Sequence, residues 1–171
     1  MIKKINLNIV TLFRIGYIKI APGTVASLFT TLILYLLLTY GFKGIKIYII
    51  YSLIFLFLYS LYAIGNLKNH FEKSDPKEIV IDEVVGQSLV IILATSTSNN
   101  SSFQWYIYYF LIFRFFDIVK IFPCNLIDRK MKNSLGVMLD DIIAAIYSIY
   151  IPPIILMIGL LMWTRLGVWI N

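Results

Sequence analysis

VMLDDIIAAIYSIYIPPIILMIGLLMW, residues 137–163, carries two aspartates and no other charged side chain. A run this apolar exceeds the roughly 20 residues that cross a bilayer, so it reads as a membrane helix whose first turns hold Asp140-Asp141. Pro152-Pro153 removes two amide donors from the stretch and predicts a kink or a break there. Working outward, TVASLFTTLILYLLLTY (24–40) and IKIYIIYSLIFLFLYSLYAIG (45–65) are two further spans, joined at the Gly41-Phe42-Lys43-Gly44 turn. Ser74-Asp75-Pro76 has the form of a helix start, a cap followed by proline at the first helical position. A third span is expected from there to about Ala94. The uncharged tract Thr95–Ser102 precedes a fourth span, about Trp105–Phe122, and Pro123–Ser134 reads as a loop. The expected fold is all-α: a polytopic membrane helical bundle of four to five transmembrane segments, in a single domain over residues 1–171.

Composition agrees. The chain is 60% hydrophobic and 14% charged, with a mean hydropathy of +0.83, outside the range of soluble globular domains. The net charge of +6 points to basic cytoplasmic loops and anionic lipid rather than to nucleic acid. The single cysteine, Cys124, cannot form an intrachain disulfide. Residues 1–23 are basic and partly amphipathic, and contain no apolar core with a cleavage site of the kind a removable signal peptide needs.

Lys and Arg are frequent in 1–23, 66–77 and 120–134 and absent from 95–104. The positive-inside rule then puts the N-terminus in the cytoplasm, with Lys43 and Lys46 as the exception. This orientation brings the start of span one, the start of span three, the end of span four and the start of span five to one side. Those are the positions of Pro22-Gly23-Thr24, Asp82-Glu83, Arg114/Asp117/Lys120 and Asp140-Asp141.

Five of the nine carboxylates therefore lie in or against apolar runs. Ionised groups are expensive there, and a cluster of them usually marks function. Carboxylates are hard ligands, and the usual occupant of such a cluster is a divalent cation such as Mg²⁺. Asp82-Glu83 is expected about two turns into its helix, with Gly86 on the Asp82 face permitting close helix approach; the plain alternative is a solvated interfacial pair. Arg114 and Asp117 share a helix face with Lys120. They form either an internal ion pair or an anionic ligand beside cations that hold phosphate. Asp140-Asp141 in a first helical turn favours the helix dipole, although two aspartates exceed what a cap requires. Pro22-Gly23-Thr24 enters a helix N-terminus that can receive a phosphate oxygen, or is a plain turn. Asp128-Arg129 lies in the basic loop.

Several chemistries are excluded. Cys124 and Arg129 are one residue too close for the C-x5-R phosphate loop of cysteine phosphatases. His70, the sole histidine, lacks the arginine-rich company of a phosphohistidine enzyme. No D-x-D-x-[TV] nucleophile motif occurs, and one Cys with one His does not make a zinc site.

Four blocks in order, IAPGTVASL, IVIDEVVGQ, FLIFRFFDIVKIFP and LIDRKMKNSLGVMLDDIIAA, resemble the phosphatidylglycerophosphatase A family over about residues 14–148. The resemblance implies a Mg²⁺-dependent phosphatase of the bacterial inner membrane, multi-pass and facing the cytoplasm. Its substrate would be the membrane phospholipid phosphatidylglycerophosphate, cleaved to phosphatidylglycerol and phosphate. It implies catalytic roles for Asp82, Glu83, Asp117, Asp140 and Asp141, metal ligation by Asp82, Glu83, Asp117 and Asp141, and substrate contacts from Thr24, Arg114, Lys120 and Arg129. The chain departs from the family pattern at Lys120-Ile121-Phe122-Pro123 and at Asn133-Ser134, both loop positions. Water activated by a carboxylate and direct attack by an aspartate both remain open. A small membrane cation transporter would place polar residues at several depths. A CDP-alcohol phosphatidyltransferase would need its aspartates in one helix-spaced motif, which is absent. A non-catalytic membrane scaffold would tolerate loss of every carboxylate.

Overall fold

The computed structural model describes residues 2–67, 77–97, 102–131 and 133–167. Among these, the chain forms α1 (Ile2–Val10), a short 3-10 turn (Ile15–Tyr17), α2 (Pro22–Tyr40), α3 (Ile45–Leu67), α4 (Ile81–Thr97), α5 (Phe103–Val119), α6 (Cys124–Lys130) and α7 (Ser134–Gly167). No strand occurs among the described residues. Three helices are long and apolar enough to cross a membrane: α2, α3 and residues 134–164 of α7. The 17-residue helices α4 and α5 extend about 26 Å at 1.5 Å per residue, just short of a hydrocarbon core of about 30 Å.

The bundle is organised around α4. No residue from Ile81 to Thr95 is exposed, and α2, α3, α5 and α7 all pack on this helix. Its lower half, through Ile81, Val84 and Val85, and the preceding Val80 join Val10, Ala26, Ala63 and Leu67 in one apolar cluster. Further along, Val90 meets Phe113, Phe116, Ala144 and Ala145, and Ile91 meets Leu34 and Tyr106. Gly86 permits the tight crossing. A Cβ there would fall 2.7 Å from Phe113 Cζ and 3.1 Å from the Asp141 carbonyl, so only glycine lets α5 and α7 reach α4 at this level. The outward faces of α3 (Tyr48, Tyr51, Phe55, Leu58) and α7 (Leu156, Leu160, Trp163) are exposed and apolar, as lipid-facing surfaces must be.

Four expectations change. α4 begins at Ile81, so Asp82 and Glu83 occupy its first turn and not its third; the proposed start at Ser74-Asp75-Pro76 lies outside the described residues, as does His70. α4 also runs on to Thr97, because Thr95 and Ser96 hydroxyls donate to the Ile91 and Ile92 carbonyls and keep these polar residues within the helix. The expected loop after Pro123 contains α6, and α7 starts at Ser134, where the Asn133 side chain accepts the Gly136 N–H at 2.8 Å. Asp140-Asp141 is consequently well inside α7 rather than in its first turn. Finally, α7 continues through Pro152-Pro153. Two missing donors cost less in lipid than a break that strands a whole turn of backbone groups.

Candidate active site

The polar residues of three helices, α4, α5 and α7, meet the start of α2 at one end of the bundle, around a cavity of about 370 Å³. The first turn of α4 supplies Asp82 and Glu83. The segment before it is fixed by the Val80 N–H, which donates to the Val10 carbonyl at 3.0 Å. The Asp82 carboxylate accepts the Glu83 N–H at 3.1 Å, and both acids favour the positive end of the helix dipole. Asp141 projects from α7 and is buried, as is Asp140.

α2 contributes space. Pro22 opens the helix and Gly23 is buried against α4. A Cβ at Gly23 would land on Glu83 Oε1, so the glycine makes room for that carboxylate. Pro22 and Gly23 line the cavity, whereas Thr24 is not among its lining residues. The side chains of Asp128 and Arg129 lie outside what the structure describes.

The cations on α5 are tied to acids. Arg114 Nη1 forms an ion pair with Asp117 Oδ2 and lies 4.0 Å from Glu83 Oε1. Lys120, in a left-handed conformation at the α5 C-cap, places its Nζ 2.8 Å from Asp140 Oδ2. These two pairs distinguish the five carboxylates. Asp117 and Asp140 have the closest cations against them, Glu83 has Arg114 at a longer 4.0 Å, and Asp82, Glu83 and Asp141 each offer an oxygen within 4.8 Å of the others.

This trio fits a metal ion. Glu83 Oε2 and Asp141 Oδ2 are buried with no hydrogen-bond partner, and unpaired buried carboxylate oxygens are too unfavourable to keep without a cation or proton. Three hard oxygens converging on one point suit a divalent cation. Asp117 lines the same cavity but is not part of the trio.

Cys124 packs beside the site with its sulfur 3.6 Å from the Asp140 carbonyl. Burial, reinforced by the negative charge of Asp140, pushes its thiol up from the ordinary cysteine range, which disfavours a thiolate nucleophile.

Sequence reasoning missed Lys19 and Lys77, which line the cavity. The available signal was their position, each a few residues before a helix start that carries site residues. It also missed Gln87, one turn beyond Glu83 on α4, fully buried with both amide atoms unpartnered.

The chain matches the family model for phosphatidylglycerophosphatase A over residues 8–158. It is 37% identical to a phosphatidylglycerophosphatase A of Haemophilus influenzae, over 88% of this chain and 91% of that protein. It is 35% identical to a Bacteroides thetaiotaomicron protein named "Putative phosphatidylinositol-3-phosphatase", over 80% of this chain and 84% of that one. To the phosphatidylglycerophosphatase A of Escherichia coli K12 it is 29% identical, over 80% of this chain and 74% of that protein. No solved structure matches significantly.

Proposed function

Because the chain belongs to the phosphatidylglycerophosphatase A family, a family of phosphoric monoester hydrolases, we propose that its acid-lined cavity hydrolyses the terminal phosphomonoester of phosphatidylglycerophosphate. The products would be phosphatidylglycerol and inorganic phosphate. The observation that carries this reading is the convergence of Asp82, Glu83 and Asp141 beside Arg114 and Lys120 in one cavity. In this reading the acidic trio would seat a metal and the two cations would bind phosphate, at one end of a lipid-embedded bundle. The acyl chains would stay in the bilayer while the headgroup enters.

Asp82, Glu83 and Asp141 would hold Mg²⁺, with Asp117 adjacent. When bound, the ion supplies charge stabilisation for the phosphoryl group and the leaving oxygen. Arg114 would bind phosphoryl oxygens and can do so bidentately; Asp117 fixes its orientation through their ion pair. Lys120, held by Asp140, would add a second cation to the phosphate. In the hydrolysis, the water oxygen bonds to phosphorus as the ester P–O bond breaks. An oxygen of Glu83 or Asp141 not committed to the metal would accept the water proton, and that proton would then pass to the departing lipid alkoxide, which leaves as the alcohol. Direct attack by an aspartate, followed by hydrolysis of the acyl phosphate, gives the same products. Lys19, Lys77 and Lys120 line the cavity, and the segments 1–23, 66–77 and 120–134 are rich in Lys and Arg, which supports a cytoplasm-facing site in the bacterial inner membrane.

The test is phosphate release by the purified protein from phosphatidylglycerophosphate, phosphatidylinositol 3-phosphate, phosphatidate and a soluble phosphomonoester, after EDTA treatment and with Mg²⁺ restored. Mg²⁺-dependent release from phosphatidylglycerophosphate is expected. Its absence refutes the substrate assignment, and turnover insensitive to chelation refutes the metal.

A further inference from the structure

We propose that Lys19 and Lys77 form a second anion seat at the mouth of the cavity, one that holds the inner phosphodiester of the lipid while its terminal phosphomonoester lies over the acidic trio. The inference rests on the lipid-phosphatase reading above and adds the feature that selects the headgroup.

Four cations line the cavity, and they divide into two kinds. Arg114 is paired with Asp117, and Lys120 with Asp140. Among the described residues, no carboxylate lies within ion-pair distance of Lys19 or Lys77. In the interior, carboxylates outnumber the two paired cations. The two lysines are exposed and reverse the sign of the charge at the entrance. An anion entering from the lipid surface meets them first, and a second negative group trailing the cleaved phosphate would come to rest there.

The backbone segments that carry the two lysines are also held against each other. Lys77 precedes Glu78, whose carbonyl packs against Gly16 so closely that a Cβ on Gly16 would overlap it. Lys19 follows that glycine by three residues. The same junction is tied by the Val80 N–H to the Val10 carbonyl. Beyond Lys19 the chain turns into α2 through Ala21, at φ 48°, a left-handed conformation that non-glycine residues adopt at a cost and that surrounding structure must impose. Two cations on segments locked together form a preorganised seat. The cavity, about 370 Å³, lies in the size range of small-ligand sites, roughly 300–1,000 Å³.

The chemical class selected is a phospholipid carrying both a terminal phosphomonoester and an inner phosphodiester. Phosphatidylglycerophosphate and phosphatidylinositol 3-phosphate both qualify. Phosphatidate, which has only the monoester, does not.

The experiment compares kcat/KM on these three lipids in micelles of uncharged detergent at fixed ionic strength, for wild type, Lys19→Ala/Lys77→Ala, Lys19→Arg/Lys77→Arg and Lys4→Ala. Charge-assisted contacts to a phosphate are worth enough that losing both lysines should lower kcat/KM on the diester-containing substrate by about tenfold. The loss is expected mainly in KM, because the group is remote from the reacting phosphorus. Phosphatidate turnover is expected to stay unchanged, the arginine pair to restore the preference, and Lys4→Ala, outside the cavity, to alter neither substrate. Equal fractional loss on phosphatidate and on the diester lipids overturns the seat in favour of general surface charge. No loss on either diester lipid overturns it outright, as does a wild type with no preference over phosphatidate. Turnover of phosphatidylinositol 3-phosphate alone would overturn the proposed substrate and leave the seat to be judged on that lipid. Turnover of none would remove the phosphatase reading and the seat together.

Discussion

Replacing Gly23 with alanine is expected to leave the bundle folded and to lower turnover by about 100-fold. The helix-propensity argument alone predicts a benign change, since alanine is favoured over glycine by up to about 1 kcal/mol within a helix. The packing predicts otherwise. An added methyl would overlap Glu83 Oε1 and lie 2.7 Å from Glu83 Cδ and 3.3 Å from its Cγ. Carbon–carbon contacts settle near 3.5–4.0 Å, so the carboxyl must retreat by about 1 Å. The clashing atoms are the far end of a flexible side chain, which can swing away without moving either backbone. The fold therefore bears at most an overpacking cost of about 1–3 kcal/mol, offset in part by the gain in helix propensity. The site bears the full displacement, and misplacing a catalytic group by about 1 Å costs on the order of 100-fold in rate. The assay is phosphate release from phosphatidylglycerophosphate by the purified variant, beside its melting temperature in detergent. Gly65→Ala serves as control, because a Cβ there meets nothing within 4 Å, and Glu83→Gln sets the floor. Wild-type turnover by Gly23→Ala, with Glu83→Gln inactive, would refute the claim that this glycine exists to seat Glu83.

Further outcomes follow from the same geometry. Asp82→Asn and Asp141→Asn are each expected to lower activity by at least about 100-fold, with membrane insertion retained; Asp141→Asn should also melt higher than wild type in EDTA, because it removes charge from a buried atom without a partner, and a lower melting point would contradict that account. Gly86→Ala should destabilise the detergent-solubilised protein by about 1–3 kcal/mol, read as a lowered melting temperature, since its methyl meets Phe113 and the Asp141 backbone. Cys124→Ala is expected to retain activity, consistent with a buried thiol held in its neutral form; loss of turnover in a folded variant would reopen a role for the sulfur.

The sequence alone determined that the chain is an apolar helical bundle and which of its charges are out of place. Hydropathy over 24–40 and 45–65 marks α2 and α3 almost to the residue, because lipid forces every spanning segment into hydrogen-bonded helix and the pattern needed is only local. Asp82, Glu83, Asp117, Asp140 and Asp141 stood out for the same reason. Tertiary structure decided how those five divide. Asp117 and Asp140 are paired with Arg114 and Lys120, Arg114 also reaches Glu83 at 4.0 Å, and Asp82, Glu83 and Asp141 each bring an oxygen within 4.8 Å of the others. That division depends on where each helix starts and how it is rotated. An error of a few residues in the start of α4 or α7, as in the sequence reading, turns a helical register by about 100° per residue. Nor could periodicity assign Gly23 its purpose, since the group it accommodates sits 60 residues away on another helix. Local sequence fixes what each segment is made of and whether it is buried; which atoms meet is set by close packing between segments, and that information is distributed over the whole chain.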